Sequence, residues 1–332
     1  MMQRLADAYD VAFFDLDGVI YLGPEPVDGA AAALAELRAS GVRVAFVTNN
    51  AAPTAASVAK KLTKLGFPND QDELITSAQA AAHALEERLH PGSMVLVCGT
   101  HNLVNLIRQA GLNTTESAED DPVAVIMGYD PEMTWPRLDE AALALQRGAT
   151  WFATNPDLTR PTNRGLVPGL GSMINAVGEC VPGQRPEMFG KPYQPLFEEM
   201  LRRTEAEHPI FVGDRLDTDI EGARVADMDS LFVLSGSHGK QRLVEAVPAE
   251  RPTYLGWDVG ALLAPARVGH LEGGAARCGN IAASVTNGSV TLSGDTVELS
   301  AQLDALWATC LLTWETPGLD VTGALAALDL LP

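Results

Sequence analysis

The sequence predicts an α/β protein: a Rossmann-like parallel-sheet core, a second α/β unit inserted into it, and a small α+β appendage at the C-terminal end. Three observations predict this. Short, mostly apolar runs (Val11-Ala12-Phe13-Phe14, residues 42–47, Ile210-Phe211-Val212) each lie just before a short polar segment, as buried parallel strands do at their carboxyl ends. Helical stretches closed by glycine lie between such runs. Beyond residue 265 the chain has no Lys, Met, Phe or Tyr, so a different kind of module begins there.

The elements follow in order. The first strand ends at Asp15. The pattern predicts a helix over 29–39 carrying Ala31, Leu34 and Leu37, a stop at Gly41, a strand over 42–47, and a helix over 54–65 stopped by Gly66. Only one helix and one strand fit between Asp17 and Thr48, which leaves no room for a domain. The gap from Asn50 to Lys191 does have room. It reads as strands at 94–97, 123–127 and 150–153 and helices at 102–110, 135–147 and 172–179, with Pro136 suited to a first turn. Proline and glycine mark its edges near 89–91 and 182–186. The predicted domains are therefore a core of 1–87 and 186–264, an insertion of 88–185, and a module of 265–332. Within the core a helix over 194–204, the strand before Asp214, a helix opening near Asp219 and a strand over 230–234 complete the series. In the module, alternation over 281–299 with two glycine turns predicts two or three antiparallel strands, followed by a helix over 303–312.

Composition narrows the function. The formal charge is -20, which argues against nucleic-acid and anionic-membrane partners, since both are bound through Lys and Arg. An anionic small substrate needs a cation to reverse the field locally. Cys98, Cys180, Cys278 and Cys310 are scattered without CxxC spacing, the pattern of free thiols in a reducing compartment. Residues 1–10 have no leader-like apolar stretch, and no later run reaches the length of a membrane span. The expectation is a cytoplasmic protein.

Chemistry concentrates in four short segments: Asp15-Leu16-Asp17-Gly18-Val19, Thr48-Asn49-Asn50, Gly190-Lys191-Pro192 and Gly213-Asp214-Arg215-Leu216-Asp217-Thr218-Asp219. Ligands of open α/β sheets bind beyond the carboxyl ends of the strands, where three of the segments begin. A carboxylate there can attack phosphorus, and a second one, two residues on, can serve as general acid and then base. Thr48 and Asn49 suit neutral hydrogen bonds to phosphoryl oxygens, and Lys191 is the cation for their charge. Asp214, placed like Asp15 at a strand end, suits magnesium ligation. Asp219 suits a helix N-cap as well as a functional role.

Together these segments resemble the haloacid dehalogenase superfamily of phosphohydrolases, over roughly residues 10–263. A large insertion after the second motif and none after the first looks like its class IIA branch, as does Thr154-Asn155-Pro156-Asp157 followed by Pro161, Gly165 and Pro168-Gly169. That branch includes phosphatases acting on 4-nitrophenyl phosphate, phosphoglycolate, nucleotides and glycerol phosphate. The resemblance implies Asp15 as nucleophile, Asp17 as acid/base, and Thr48, Asn49 and Lys191 as phosphate binders. It implies Mg²⁺ held by Asp15, Asp214 and the main-chain carbonyl of Asp17, with Asp219 supporting the metal waters or Lys191. The insertion becomes a cap that selects the ester, with Asn155, Asp157 and Arg160 expected to meet the leaving group.

The acidic, alanine-rich chain with its extra module resembles actinobacterial members that hydrolyse glycerol 3-phosphate. That ester is the first expectation, ahead of phosphoglycolate, sugar phosphates and nucleotide monophosphates; a homo-oligomer is compatible with it. The module vaguely resembles part of an N-acetyltransferase fold, which gives an alternative acyl-CoA-binding or oligomerisation role. It contains no Arg/Gln-x-x-Gly-x-Gly/Ala loop to cradle a pyrophosphate.

Overall fold

The computed structural model describes residues 3–162 and 164–332. Met1 and Met2, which open the segment read above as free of a leader, lie outside the described residues, as do Asn163 and the side chain of Pro161. The chain divides into two compact units, one formed by the chain up to Ala45 together with Ala206–Pro332, the other by Phe46–Glu205. The fold is α/β with parallel sheets, as the sequence predicts.

In the first unit the strands Tyr254–Gly256, Asp229–Val233, Pro209–Gly213 and Val11–Asp15 lie side by side, all parallel. Phe13 faces Phe211 in register, and both are wholly buried. Apolar side chains on both faces of Val11–Asp15 explain its unbroken run: a parallel strand covered on both sides has no solvent face to mark. The segment after Asp17 is slightly richer than expected. It adds a two-stranded hairpin, Tyr21–Leu22 with Glu25–Pro26, before the helix Ala30–Ala39. Past Asp214 the backbone first makes a π-helical turn, Leu216–Ile220, and then the short α-helix Glu221–Val225.

The C-terminal module holds four antiparallel strands, Gly269–Glu272, Ala275–Cys278, Ile281–Thr286 and Ser289–Ser293, against the long helix Leu299–Glu315. The first two strands lie upstream of the expected region. The module shares one buried cluster with the core: Leu303, Leu306, Trp307, Leu312, Leu325 and Leu328 pack with Leu216, Phe232, Leu243 and Leu255. Trp307, in this cluster, meets the partly buried Trp314 edge-on at 5.6 Å. Lys240 clasps the end of the chain, its ammonium donating to the carbonyls of Leu328 (2.6 Å) and Leu331 (2.8 Å).

In the second unit the strands run Glu187–Met188, Thr150–Ala153, Ala124–Met127, Met94–Cys98, Asn113–Thr115, all parallel. Strand alternation builds its two faces. Leu96, Cys98, Val125, Met127, Trp151 and Ala153 point to the helices Trp135–Gln146 and Leu170–Gly178. Val95, Val97, Ala124, Ile126 and Phe152 point to Ser77–Arg88 and His101–Gln109. Ser77–Arg88 is a helix the sequence reading did not single out; Thr76 and Gln79 cap it reciprocally. Phe46–Thr48 also lies in this unit, paired in parallel with Leu74–Thr76.

Candidate active site

In the first unit the carboxylates gather at strand ends. Asp15 closes Val11–Asp15 and the fully buried Asp214 follows Pro209–Gly213. Gly18, at φ +90°, lets the chain turn back so that its N–H reaches the Tyr21 carbonyl at 2.8 Å. One oxygen of the buried Asp219 accepts the N–H groups of Asp214 (3.2 Å) and Arg215 (3.0 Å). Asp214 Oδ2 accepts the Ser237 N–H at 2.5 Å. A Cβ at Gly236 would stand 2.0 Å from that same oxygen, and one at Gly18 2.2 Å from it, so only glycine fits beside Asp214.

Asp15, Asp214 and Asp219 each offer an oxygen, and the three lie within 4.8 Å of one another. Three carboxylates this close, two of them buried, repel strongly in a medium of low dielectric. An all-oxygen donor set of this charge fits a hard divalent cation. Asp219, expected to act behind the ligands, has an oxygen in this cluster while its Oδ2 accepts the Asp214 and Arg215 N–H groups.

Asp17 is exposed, and the Tyr21 hydroxyl stands 3.5 Å from its Oδ2. Burial, then the charges of Asp17 and Asp15, push the Tyr21 phenol well above its usual range, so it stays a donor. Asp217 is paired with Arg215 at 2.9 and 3.1 Å. Burial works against its charge, but Arg215 holds the carboxyl below the usual carboxylate range. The sequence reading missed Tyr21 and the 235–238 loop. The loop had a signal, since it leaves the carboxyl end of the neighbouring strand Asp229–Val233.

The second unit carries the phosphate-binding candidates. Thr48, 5 % exposed, ends its strand, and its hydroxyl accepts the Asn50 N–H at 3.1 Å. Lys191 is only 3 % exposed, unusual for a lysine. Its main chain is gripped by Asn49, whose Oδ1 accepts the Lys191 N–H (2.7 Å) while Nδ2 donates to the Lys191 carbonyl (3.0 Å). Gly190 is needed for this approach, because a Cβ there would lie 2.6 Å from Asn49 Oδ1.

Of the three residues expected at the leaving group, Asn155 is buried and bonded to the Asn49 carbonyl at 3.0 Å. Asp157 Oδ2 lies 3.4 Å from Asn49 Nδ2. Arg160 is exposed on the hairpin Thr159–Thr162/Gly165–Pro168, its guanidinium 4.8 Å over the Tyr129 ring.

The chain is similar to known proteins. The haloacid dehalogenase-like hydrolase model matches residues 12–113, and a second, HAD-hydrolase-like model matches 188–262. The D-glycerol 3-phosphate phosphatase of Mycobacterium tuberculosis is 43% identical over 261 residues, covering 79% of this chain and 73% of that protein. The chain belongs to the haloacid dehalogenase-like hydrolases. Within that family it is a phosphatase. An acid sugar phosphatase of Staphylococcus epidermidis is 34% identical, over 69% of this HAD chain and 87% of its own length. Among solved structures, the glycerol phosphate phosphatase of M. tuberculosis in complex with magnesium superposes with a TM-score of 0.88 at 38% identity, over 99% and 98% of the two chains. The 4-nitrophenylphosphatase of Thermotoga maritima gives 0.72 at 27% identity, over 79% of this HAD chain and 98% of its own. Among the described residues no helix is long and apolar enough to cross a membrane.

Proposed function

We propose that this phosphatase hydrolyses glycerol 3-phosphate to glycerol and phosphate in the cytoplasm, with Mg²⁺ as its ion. The observation that carries the substrate is the likeness to the M. tuberculosis enzyme over 98% or more of both chains, C-terminal module included. The same likeness disfavours an acyl-CoA or assembly role for the module, which is built into the core of a phosphatase. The four cysteines are free thiols, in keeping with a reducing compartment.

In this reading Asp15 attacks phosphorus, the bond to the glycerol oxygen breaks, and Asp17 gives its proton to that oxygen. A water then attacks the aspartyl-phosphate, Asp17 takes the water's proton, and phosphate leaves with Asp15 restored. Lys191 and the hydroxyl of Thr48 hold the phosphoryl oxygens. Asn49, its carboxamide committed to Lys191, offers its main-chain N–H. Asp15, Asp214 and the main-chain carbonyl of Asp17 hold the ion, and Asp219, itself bonded to the N–H groups of Asp214 and Arg215, fixes their loop. Mg²⁺, when bound, neutralises charge on the phosphoryl group and the carboxylates.

We take residues 88–185 as the cap on a core of 1–87 and 186–264, with 265–332 completing the apolar core. Arg160, braced on Tyr129, is the proposed contact to the glycerol hydroxyls. A panel of phosphate esters tests the substrate: kcat/KM for glycerol 3-phosphate should exceed those for phosphoglycolate, sugar phosphates and nucleotide monophosphates. A higher value for any of these reassigns it.

A further inference from the structure

Every polar atom of the Asn155 side chain already has a partner within the protein. It is 4 % exposed. Its Nδ2 donates to the Asn49 carbonyl at 3.0 Å and to Thr154 Oγ1 at 3.3 Å, which uses both hydrogens of the amide. Its Oδ1 accepts the Asp157 N–H at 3.3 Å. The Asn49 carbonyl also accepts the Ser77 hydroxyl at 2.7 Å. Two donors on one carbonyl fix the plane of the Asn49–Asn50 peptide, and with it the direction from which the Asn49 side chain leaves.

Asp157 acts on the other end of that side chain, its Oδ2 lying 3.4 Å from Asn49 Nδ2. Asp157 is anchored in turn, because its carbonyl accepts the Gly171 N–H at 2.9 Å at the start of the helix Leu170–Gly178. A Cβ at Gly169 would come within 2.3 Å of that carbonyl oxygen. The segment 155–157 is therefore clamped between the helix and Asn49, and Asn49 grips the main chain of Lys191.

We propose that Asn155, with Asp157, is a positioning residue for the phosphoryl group, acting through Asn49 on Lys191 and making no contact with the leaving group. This rests on Asn49 and Lys191 binding phosphate as argued above. The distinguishing consequence is that loss of Asn155 weakens every phosphate ligand alike, the free anion included, whatever the alcohol.

The test uses the full chain carrying Asn155→Asp, which keeps the size and the acceptor but removes both donors, and Asp157→Asn. Competitive inhibition by inorganic phosphate is measured beside kcat/KM for glycerol 3-phosphate and 4-nitrophenyl phosphate, with melting curves to verify folding. For N155D the phosphate inhibition constant rises about tenfold, and kcat/KM falls by a similar factor for both esters. For D157N the same pattern appears at about threefold, since its contact is longer. An unchanged inhibition constant with loss confined to one ester overturns the proposal and returns Asn155 to the leaving group. If N155D does not fold, D157N decides by the same criterion. A wild-type chain that hydrolyses neither ester refutes the phosphatase reading instead. Calorimetric titration of wild type and variants with inorganic phosphate then still decides this inference.

Discussion

The carboxamide of Asn49 closes on both main-chain groups of Lys191, accepting its N–H at 2.7 Å and donating to its carbonyl at 3.0 Å. The two residues are 142 positions apart in the chain, so this pairing, rather than local sequence, sets where the lysine's chain begins. Asn49→Asp keeps the acceptor but turns the donor into a second acceptor facing a carbonyl. It should lower kcat/KM by roughly a hundredfold, the scale of losing one preorganised charge-stabilising contact. Steady-state kinetics check this, with a melting curve to show that the fold survives.

Asp15→Asn should remove turnover by roughly a thousandfold or more, since an amide is a poor nucleophile toward phosphorus. Mass spectrometry of wild-type enzyme quenched during turnover should find the phosphoryl group on Asp15. A phosphoryl group trapped on another residue would refute the assignment.

Chelation should abolish activity and added Mg²⁺ restore it, because three carboxylates within 4.8 Å cannot welcome a phosphate dianion unaided. Gly236→Ala offers a finer check. Its Cβ would press on Asp214 Oδ2, so the Mg²⁺ concentration for half-activation should rise about tenfold. An unchanged requirement would place the ion away from Asp214.

Removing residues 265–332 should leave the core insoluble or strongly destabilised. Leu303, Leu306, Trp307, Leu312, Leu325 and Leu328 are all buried in the shared cluster. Each is worth about 1.5–3 kcal/mol, so together they rival the roughly 5–15 kcal/mol that stabilises a typical domain. Soluble expression and melting of the shortened chain measure this; a shortened chain with wild-type stability would show the module to be dispensable.

Asp10 predicts an acid-sensitive increment of stability. It accepts the N–H groups of Glu207 (3.0 Å) and His208 (2.9 Å) and the guanidinium of Arg43 (3.0 Å). Burial opposes its charge, yet these donors hold the carboxyl below its ordinary value of 3.8. A lowered folded-state pKa stabilises above the unfolded value, and the stabilisation is lost as pH falls through the folded one. Asp10→Asn should melt a few degrees below wild type at neutral pH, with the gap closing as pH falls through and below the ordinary carboxylate range. A gap that persists unchanged in acid would rule this out.

Much of this was legible because parallel strands announce themselves. Val11–Asp15 and Pro209–Gly213 are apolar on both faces, and the residues that end or follow them, Asp15 and Asp214, form the cluster. Ser77–Arg88 was not legible, because its own buried alanines, at 78, 80, 81, 82 and 84, occupy nearly consecutive positions and erase the helical period. Strands such as Leu74–Thr76 and Ala275–Cys278 are too short to alternate visibly. In the site, residue types were legible but partners were not. Asn155 was expected to face substrate, yet its amide reaches the Asn49 carbonyl, 106 positions earlier, and no local pattern encodes that reach.

The first unit is assembled from the two ends of the chain, and this governs the order in which the protein can come into being. Val11–Asp15 leaves the ribosome early, but its neighbour Pro209–Gly213, in register at Phe13 and Phe211, must wait for the whole second unit to be synthesised. At about 5–20 residues per second that delay is on the order of 10–40 s. Throughout it, one of the most apolar stretches of the chain lacks that neighbour, the kind of unpaired apolar edge that is prone to aggregate. Asp15 likewise waits for Asp214 and Asp219, so the carboxylate cluster cannot assemble until residue 219 of 332 has been made.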